Sequence, residues 1–566
     1  MPAYETFSNS FITTPLIEKL LAEKKSANEL QKRKHEDWDG NYELYRNKVK
    51  TNRLTQRQAV NIPLMKETLK TLLSKIDEAV NIEWSELGGD EEKELIYQEV
   101  WNENYIQNKY ELADILDKKN VLLYGLSVKK LNIANDGIDA YALDPYDVVF
   151  DPLMEPSDVE TARFIIHQNI FKTVREVLAD ERYGGKGKEK LKIWADTVPG
   201  ITQSSENKKQ WEEKMERLRS MGVDHKDFPL YAGGDRIVNL TEHYTSVGDI
   251  GEKRFVRKGG VYAEDVILLM EKTLDELIGV DFWPFVLWTE DPETTDIYSD
   301  SVADLVRPIN KVLNVWFSQL IENRTLKNFQ MHWFLPSQNY TPQTYQPGPG
   351  VMLPAPPGDD IRKVITPVEI SGLDDTLEAI NAITQIVERG SGATAIEKGE
   401  PEKGTQTLGE VQILVGKATE RTIGMAKFYR LAWEEFARKW DAIMHANAPR
   451  FIKLSKVGRS GKTYFKRVYA GDWKSDIGYK PTVRSTSEQE SETTKGIQKF
   501  LFILTQFPNN AALRKIAQQR MLEMVDLTPE ELKQVEESEN QQMIEGSQQG
   551  LQDLGSRLEE LSSLTA

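Results

Sequence analysis

An α+β fold in which helices outnumber strands is what this sequence predicts, and three patterns carry the prediction. Apolar residues recur every three or four positions through 302–321 and again through 411–443, the period of helices with one buried face. Between about 93 and 285 the character is mixed, with helical parts and several stretches of period two, as in strands with one buried side. Eight prolines crowd into 330–370, a density that forbids helix and demands extended chain with turns.

Taken in order, the first helix is expected from Pro15, with Thr14 as its N-cap, to about residue 47. A second should cover about 62–82, with Leu64, Leu69, Leu72, Leu73 and Ile76 on one face. "ELADILDKKNVLLYG" (111–125) reads as a helix running into a buried turn or strand. The chain then alternates around Asn135-Asp136-Gly137, a hairpin signal. "TARFIIHQNI" predicts a strand leading to a helix near 172–180, "GGKGKEK" opens a polar excursion with one helical part, and a meander follows from 235.

At Ser301, with Asp304 three residues on, a capping box opens a long helix. Its apolar stripe is Val302, Leu305, Val306, Ile309, Val312, Leu313, Trp316, Leu320 and Ile321, and Pro308 should kink or break it. A second helix covers "LDDTLEAINAITQIVER" beyond the prolines, with Asp374 and Asp375 near its positive end. "GSGATAIEKGEPEKGTQTLGE" (390–410) interrupts it with five glycines and a proline. No proline then occurs before Pro449, so the next helix could reach roughly 60 Å at about 1.5 Å per residue. Residues 450–485 alternate as strands, and the tail from 494 reads as helical, with a strong start at Thr528-Pro529-Glu530-Glu531.

With 566 residues the chain can bury several cores, and length suggests about three or four domains. Its net charge of -17 repels nucleic acid at long range, which suits a protein past which DNA slides better than one that grips it. The absence of cysteine excludes disulfides, thiolate metal sites and cysteine nucleophiles, and fits a reducing compartment. The first residues lack the basic and apolar runs of a signal peptide, and no apolar stretch approaches the length of a membrane span, so no membrane association is expected.

Chemical motifs fail on inspection. "GRSGKT" (458–463) ends like a phosphate loop, but Lys456 stands where the first glycine is needed and the sequence after it alternates like a strand, so a hairpin turn is expected. Gly399 and Gly404 have the spacing, but Thr405 replaces the lysine, and no acidic partner for Mg²⁺ follows an apolar strand. Asp144, Asp147 and Asp151 could suggest a metal, yet Asp-Pro pairs at 144–145 and 151–152 read better as turns. The six histidines show no paired spacing for zinc. No catalytic residue, metal or cofactor is expected. Tyr429, Trp433, Phe436 and Trp440 fall at helical spacing and should be core, not a stacking platform for bases.

The order of elements resembles the portal, or head–tail connector, proteins of tailed bacteriophages. "NVLLYGLSVKKL" with "LDPYDVVFDP" is similar to the wing signature of that family, and "WPFVLWTEDPETTDIYSDSVADLVRPINKVLN" to the run into its first stem helix. The Pro-rich insert resembles a clip, "TLGEVQILVGKATERTIGMAKFYRLAWEEF" the helix after a tunnel loop, and "GDWKSDIGYKPTVRS" the returning wing strand. The series runs from about 56 to 500 and is weakest at the two ends.

The resemblance implies a portal fold. N-terminal helices and an α+β wing would fill 1–296, the first stem helix 297–329, the clip 330–370, the second stem helix 371–389 and a tunnel loop 390–406. A long wing helix (407–448), returning strands (449–493) and a helical crown or tail (494–566) would complete it. It further implies a homo-oligomeric ring, typically dodecameric, at one capsid vertex of the virion, assembled in the host cytoplasm. Its partners would be the terminase large subunit, head–tail adaptor proteins, the major capsid and scaffolding proteins, and double-stranded DNA threaded without sequence preference. Lys398 and Lys403, flanked by Glu397 and Glu400, would face that DNA, and Trp333, Phe334 and Tyr345 would anchor terminase or adaptor on the clip. Another virion component, such as an adaptor or minor capsid protein, is the alternative, and a packaging NTPase a weaker one.

Overall fold

The structure, a computed structural model, describes residues 15–47, 60–76, 80–134, 137–156, 158–197, 212, 214–216, 236–249, 254–328, 332–334, 365–368, 375–391, 408–457 and 463–485. The chain divides into two units, Met1–Asp77 with Ile82–Val483, and Glu78–Asn81 with Arg484–Ala566. The second lies almost wholly outside the described residues.

Helix α1 (Pro15–Tyr45) buries Ile17, Leu20, Lys24, Ala27, Gln31, Trp38, Asn41 and Leu44, a spacing of three to four that puts them along one side. Three of these are polar, and each is partnered. Lys24 meets Asp265 at 2.6 Å, Gln31 Nε2 donates to the carbonyls of Pro145 and Val148, and Asn41 Nδ2 donates to Leu123 O. Helix α1 is thereby fixed along its length by directional bonds as well as by grease.

Helix α2 (Leu64–Ile76) buries Leu64, Leu69, Leu72 and Ile76 of the expected face, with Leu73 half-buried, and ends six residues early, strand β1 (Val80–Glu86) taking the rest of the expected span. Helices α3 (Glu91–Gln107) and α4 (Tyr110–Tyr124) follow, and α4 ends on Gly125 at φ +82°. A Cβ at Gly125 would lie 2.2 Å from Ser299 O, so only glycine fits the turn into β2 (Leu126–Ala134).

Strand β2 pairs antiparallel with β3 (Gly137–Leu143), with Ala134 opposite Gly137, as the hairpin signal predicted. β4 (Val148–Phe150), β5 (Phe164–Thr173), β6 (Ile237–Asp249), β7 (Arg254–Ala263) and β8 (Ile267–Thr273) form an antiparallel sheet in sequence order. Helices α5 (Val174–Ala179) and α6 (Gly185–Thr197) pack Val174, Val177, Leu191 and Trp194 against Leu240, Val261 and Leu269 of the sheet. A second cluster joins Ile17, Leu20 and Ala27 of α1 to Phe164, Ile166 and Tyr262. Helix α6 begins at Gly185, inside what read as a polar excursion, because Leu191 and Trp194 bury one side of a segment whose other side is lysine-rich.

After α7 (Leu274–Ile278), β9 (Phe285–Thr289) joins β2 on the side away from β3. Lys130 of β2 forms a buried ion pair with Glu242 of β6, and His167 Nδ1 lies 3.2 Å from the same carboxylate. Burial alone would raise Glu242, but Lys130 and His167 override it and hold the carboxyl well below the usual range.

Helix α8 (Val302–Asn328) starts at the predicted capping box, Ser301 Oγ and Asp304 bonding each other's backbone N–H. It runs unbroken through Pro308. Its inner face carries Asn310, Asn314 and Ser318, which accept the N–H groups of Met65, Ile62 and Val60. The predicted apolar stripe is therefore divided: Val302, Val306 and Leu313 are buried, while Leu305 and Val312 are exposed. Glu290 accepts the Val302 N–H at the start of this helix. Burial pushes its carboxyl up to about 8, against the effect of that bond and with help from Asp291 and Asp304.

Strands β10 (His332–Phe334) and β11 (Ile365–Pro367) pair antiparallel, and helix α9 (Asp375–Ser391) follows, with Ile380 and Val387 buried. Helix α10 (Leu408–Ala446) has 39 residues, about 58 Å at 1.5 Å per residue. Strands β12 (Phe451–Val457) and β13 (Thr463–Tyr469) form a two-stranded antiparallel ribbon. The short α11 (Ala470–Trp473) leads to β14 (Tyr479–Ser485), which pairs with β1.

The C-terminal half of α10 is anchored by buried charge. Asp114 of α4 accepts Tyr429 Oη at 2.7 Å and Trp433 Nε1 at 3.0 Å, and pairs with Lys118 at 2.7 Å. Lys129 pairs with Asp117 at 2.9 Å and lies 4.1 Å above the Trp433 ring. One and a half turns on from Trp433, Lys439 Nζ meets Glu160 Oε1 and the carbonyls of Trp283 and Phe285. Trp440 then enters an aromatic cluster with Trp84 and Trp101, beside the stacked pair Tyr97 and Tyr479.

Two outcomes follow from this packing. Asp114→Ala removes the acceptor of two donors and a carboxylate that lies 2.7 Å from Lys118 and 3.9 Å from Lys129, and should cost about 3–5 kcal/mol, as breaking a buried charge pair does. Amides across 429–444 should then exchange with solvent faster, and unchanged exchange there would refute the anchoring role. For Glu290, the folded pKa lies above the unfolded one near 4.3, so the folded chain keeps a proton that the unfolded chain releases. That stability is lost as pH rises from about 4.5 through 8. Glu290→Gln should therefore gain in melting temperature over the parent as pH goes from about 5 to 8. A difference independent of pH would rule out the raised carboxyl.

Candidate functional site

The Pro-rich insert has helices on both sides and a closed base. Helix α8 leads into β10 and β11 leads out toward α9, with His332 opposite Pro367, Trp333 opposite Thr366 and Phe334 opposite Ile365. Pro367 can end this ladder because a missing N–H is tolerated at a strand terminus. The two bonded strands return the chain on itself, so residues 335–364 form an insert between paired ends. Trp333 and Phe334 occupy backbone positions in β10, and Tyr345 lies outside the described residues.

Helix α9 extends two residues past its expected end, and α10 begins at Leu408, so the two helices frame the glycine-rich stretch. Glu397, Lys398, Glu400 and Lys403 all lie outside the described residues. Tyr429, Trp433, Phe436 and Trp440 are buried as core residues, as expected from their spacing.

The aspartates near 150 have structural partners. Asp144 caps a 3₁₀ turn at Tyr146 N. Asp147 accepts Asn169 Nδ2 at 3.0 Å and pairs with Lys214 at 2.7 Å. Asp151 holds Arg163 in a bidentate pair, 2.6 Å on each arm, and takes its backbone N–H as well. Burial would raise the Asp151 carboxyl, but the Arg163 guanidinium and these bonds leave it below its ordinary value. No group of three potential metal-binding side chains occurs among the described residues. Also among them, no helix is long and apolar enough to cross a membrane.

"GRSGKT" falls between β12 and β13, where Val457 pairs with Thr463, so its strand-like sequel is a real strand and no helix follows a phosphate loop there. The surrounding ribbon is what motif reading missed. From Arg450 to Tyr469 there are seven lysines and arginines, and no acidic residue stands between Asp441 and Asp472. The signal lay in plain sight but was averaged away by a whole-chain charge of -17.

The phage SU10 portal protein family matches residues 48–525 of the chain. No curated protein matches it. Among solved structures it is similar to a chain from the neck of an empty gene transfer agent particle computed with C6 symmetry. That likeness has 10% identity and a TM-score of 0.33, and covers 81% of this chain and 90% of the other. A chain from the virion of a native gene transfer agent particle is similar at 11% identity and a TM-score of 0.29, over 88% of this chain and 92% of that one. Likenesses this distant do not by themselves fix a fold. The family match spans most of the sequence, through the aromatic core, both helices around the Pro-rich insert and the long helix beyond them, and the chain belongs to the phage SU10 portal protein family.

Proposed function

We propose that the chain forms a closed ring at one vertex of a tailed-phage capsid, through which double-stranded DNA is packaged and later ejected. The observation that carries this reading is the family match over 48–525. In this reading the terminase large subunit docks first and head–tail adaptors replace it, while major capsid and scaffolding proteins surround the ring. The protein belongs to the virion and is assembled in the host cytoplasm. It is a structural component that hydrolyses nothing and needs no cofactor.

The architecture supports roles for particular segments. Helices α8 and α9 flank an insert whose ends are clamped by β10 and β11, the arrangement needed to carry a clip on a stem. Terminase and adaptor contacts are assigned to that clip, with Trp333, Phe334 and Tyr345 as anchors, since aromatic residues dominate interface energetics. The stretch 390–406, between α9 and α10, is assigned to the channel as a tunnel loop. Lys398 and Lys403 would meet passing phosphate there, and Glu397 and Glu400 would keep the contact weak. The segment 494–566 is assigned to a crown or tail.

Native mass measurement and particle imaging of the purified protein test the ring. A closed ring of about a dozen copies is expected, since closed cyclic assemblies have heterologous interfaces that return on themselves. A monomer or an open filament would favour an adaptor or minor capsid component, and ATP hydrolysis by the pure protein would overturn the reading in favour of a motor. Deletion of 394–403 should leave ring assembly intact while impairing DNA packaging or retention. Normal packaging by that deletion would remove the loop from the channel.

A further inference from the structure

We propose that the β12–β13 ribbon is a binding surface for the phosphate backbone of duplex DNA, a local grip on an otherwise acidic molecule. The ribbon has two faces set by its register. Ile452, Leu454 and Val468 are buried on one side. On the other, Phe451 lies opposite Tyr469 and Lys453 opposite Arg467. Lys453 and Arg467 are exposed, as is Arg450 just before the ribbon, and Phe465 and Tyr469 are exposed by 69% and 51%.

Three features point to a polyanion. The first is single sign: an interface between proteins mixes charges so that each side can be neutralised, whereas thirty residues without an acid suit a partner that is negative throughout. Secondly, these cations have no carboxylate partner among the described residues. All five buried lysines described, Lys24, Lys118, Lys129, Lys130 and Lys439, pair with carboxylates, whereas no ion pair joins Lys453 or Arg467 to a described residue. Thirdly, the geometry is set in advance. The Arg467 guanidinium sits 5.3 Å from the Phe451 ring centroid on the diagonal, which holds it beside Lys453 on one face. A two-stranded ribbon is also narrow enough to lie in a major groove, with tyrosine and cations on the flanking phosphates.

The net charge of the chain does not cancel this. Screening reduces charges beyond about 8 Å at physiological salt, so a phosphate in contact with the ribbon meets the ribbon's field and little of the distant acids. The reading of the chain as a DNA conduit underlies the proposal, and ring formation is scored separately so that the two can fail independently.

The test is a titration of a duplex oligonucleotide of mixed sequence with the assembled full-length protein, repeated between about 50 and 200 mM salt. Affinity should fall with salt. Replacing the pair (Lys453→Gln with Arg467→Gln) should flatten the log–log slope by about 1.8, two charges at about 0.9 each, and weaken binding roughly tenfold at the low end. A control with Lys186→Gln and Lys192→Gln, exposed on α6, changes net charge equally and should leave the slope unaltered. An intact ring that ignores duplex, or an equal loss in the control, overturns the proposal while leaving the portal reading in place. A folded double variant that no longer closes into rings would make the ribbon a seam between copies and overturn it too.

Discussion

Tyr429, Trp433 and Lys439 hold a helix of 39 residues by its C-terminal half, and each does so through a charged or carbonyl acceptor inside the protein. Apolar packing alone would let such a helix slide by a turn or rotate with little loss, because one leucine contact substitutes for another. A carboxylate that must accept a phenol and an indole, and an ammonium that must reach two carbonyls and Glu160, permit one register. The desolvation cost of these groups is several kcal/mol per ion, which only complete pairing offsets. Much of the aromatic core sits downstream of that choice: Trp440 reaches Trp84 and Trp101 only in the setting that Asp114 and Lys439 impose.

The same logic explains where sequence periodicity succeeded and where it misled. The long helix was legible because its buried polar bonds are made by Tyr, Trp and the tip of Lys, residues whose bodies are apolar and obey the stripe. Helix α8 was half legible for the opposite reason. Asn310, Asn314 and Ser318 occupy its inner face because the segment Val60–Met65 arrives with backbone N–H groups that need acceptors. Hydrophobicity alone assigns such positions to solvent, so Leu305 and Val312 were placed inside when they lie outside. Of the kink or break expected at Pro308, the break does not occur; the proline lies in the second turn, where few intrahelical bonds precede it.

Functional legibility divided along similar lines. What could be read was what depends on order along the chain: two helices around a proline-rich insert, then a glycine-rich stretch, then a long helix, which together match the family over 48–525. Asp147 and Asp151 show the limit of short motifs, since only tertiary structure supplies Lys214 and Arg163 to turn a carboxylate cluster into two satisfied pairs. The ribbon shows a different limit. Alternation along the sequence marks its strands, but a charge summed over the whole chain conceals a segment of opposite sign.

On the proposed reading, that contrast in charge is a division of labour. Long-range repulsion from an acidic body keeps nucleic acid from condensing on the protein at large, because the field of many acids adds up at distances beyond a single contact. Contact forces obey a shorter scale, about a Debye length, within which a few cations decide the sign. A molecule that is acidic on average and basic at one ribbon can therefore let duplex pass over most of its surface and still detain it at one place. The strength of that hold is tunable by salt, since it depends on counterions released from a small number of phosphates. Helix α10 leads directly into this ribbon through Pro449 and Arg450, so the register fixed by Asp114 and Lys439 also fixes where β12 begins. An anchor made of buried charge thus sets the position of a surface made of exposed charge, and both follow from which ions find partners inside the fold.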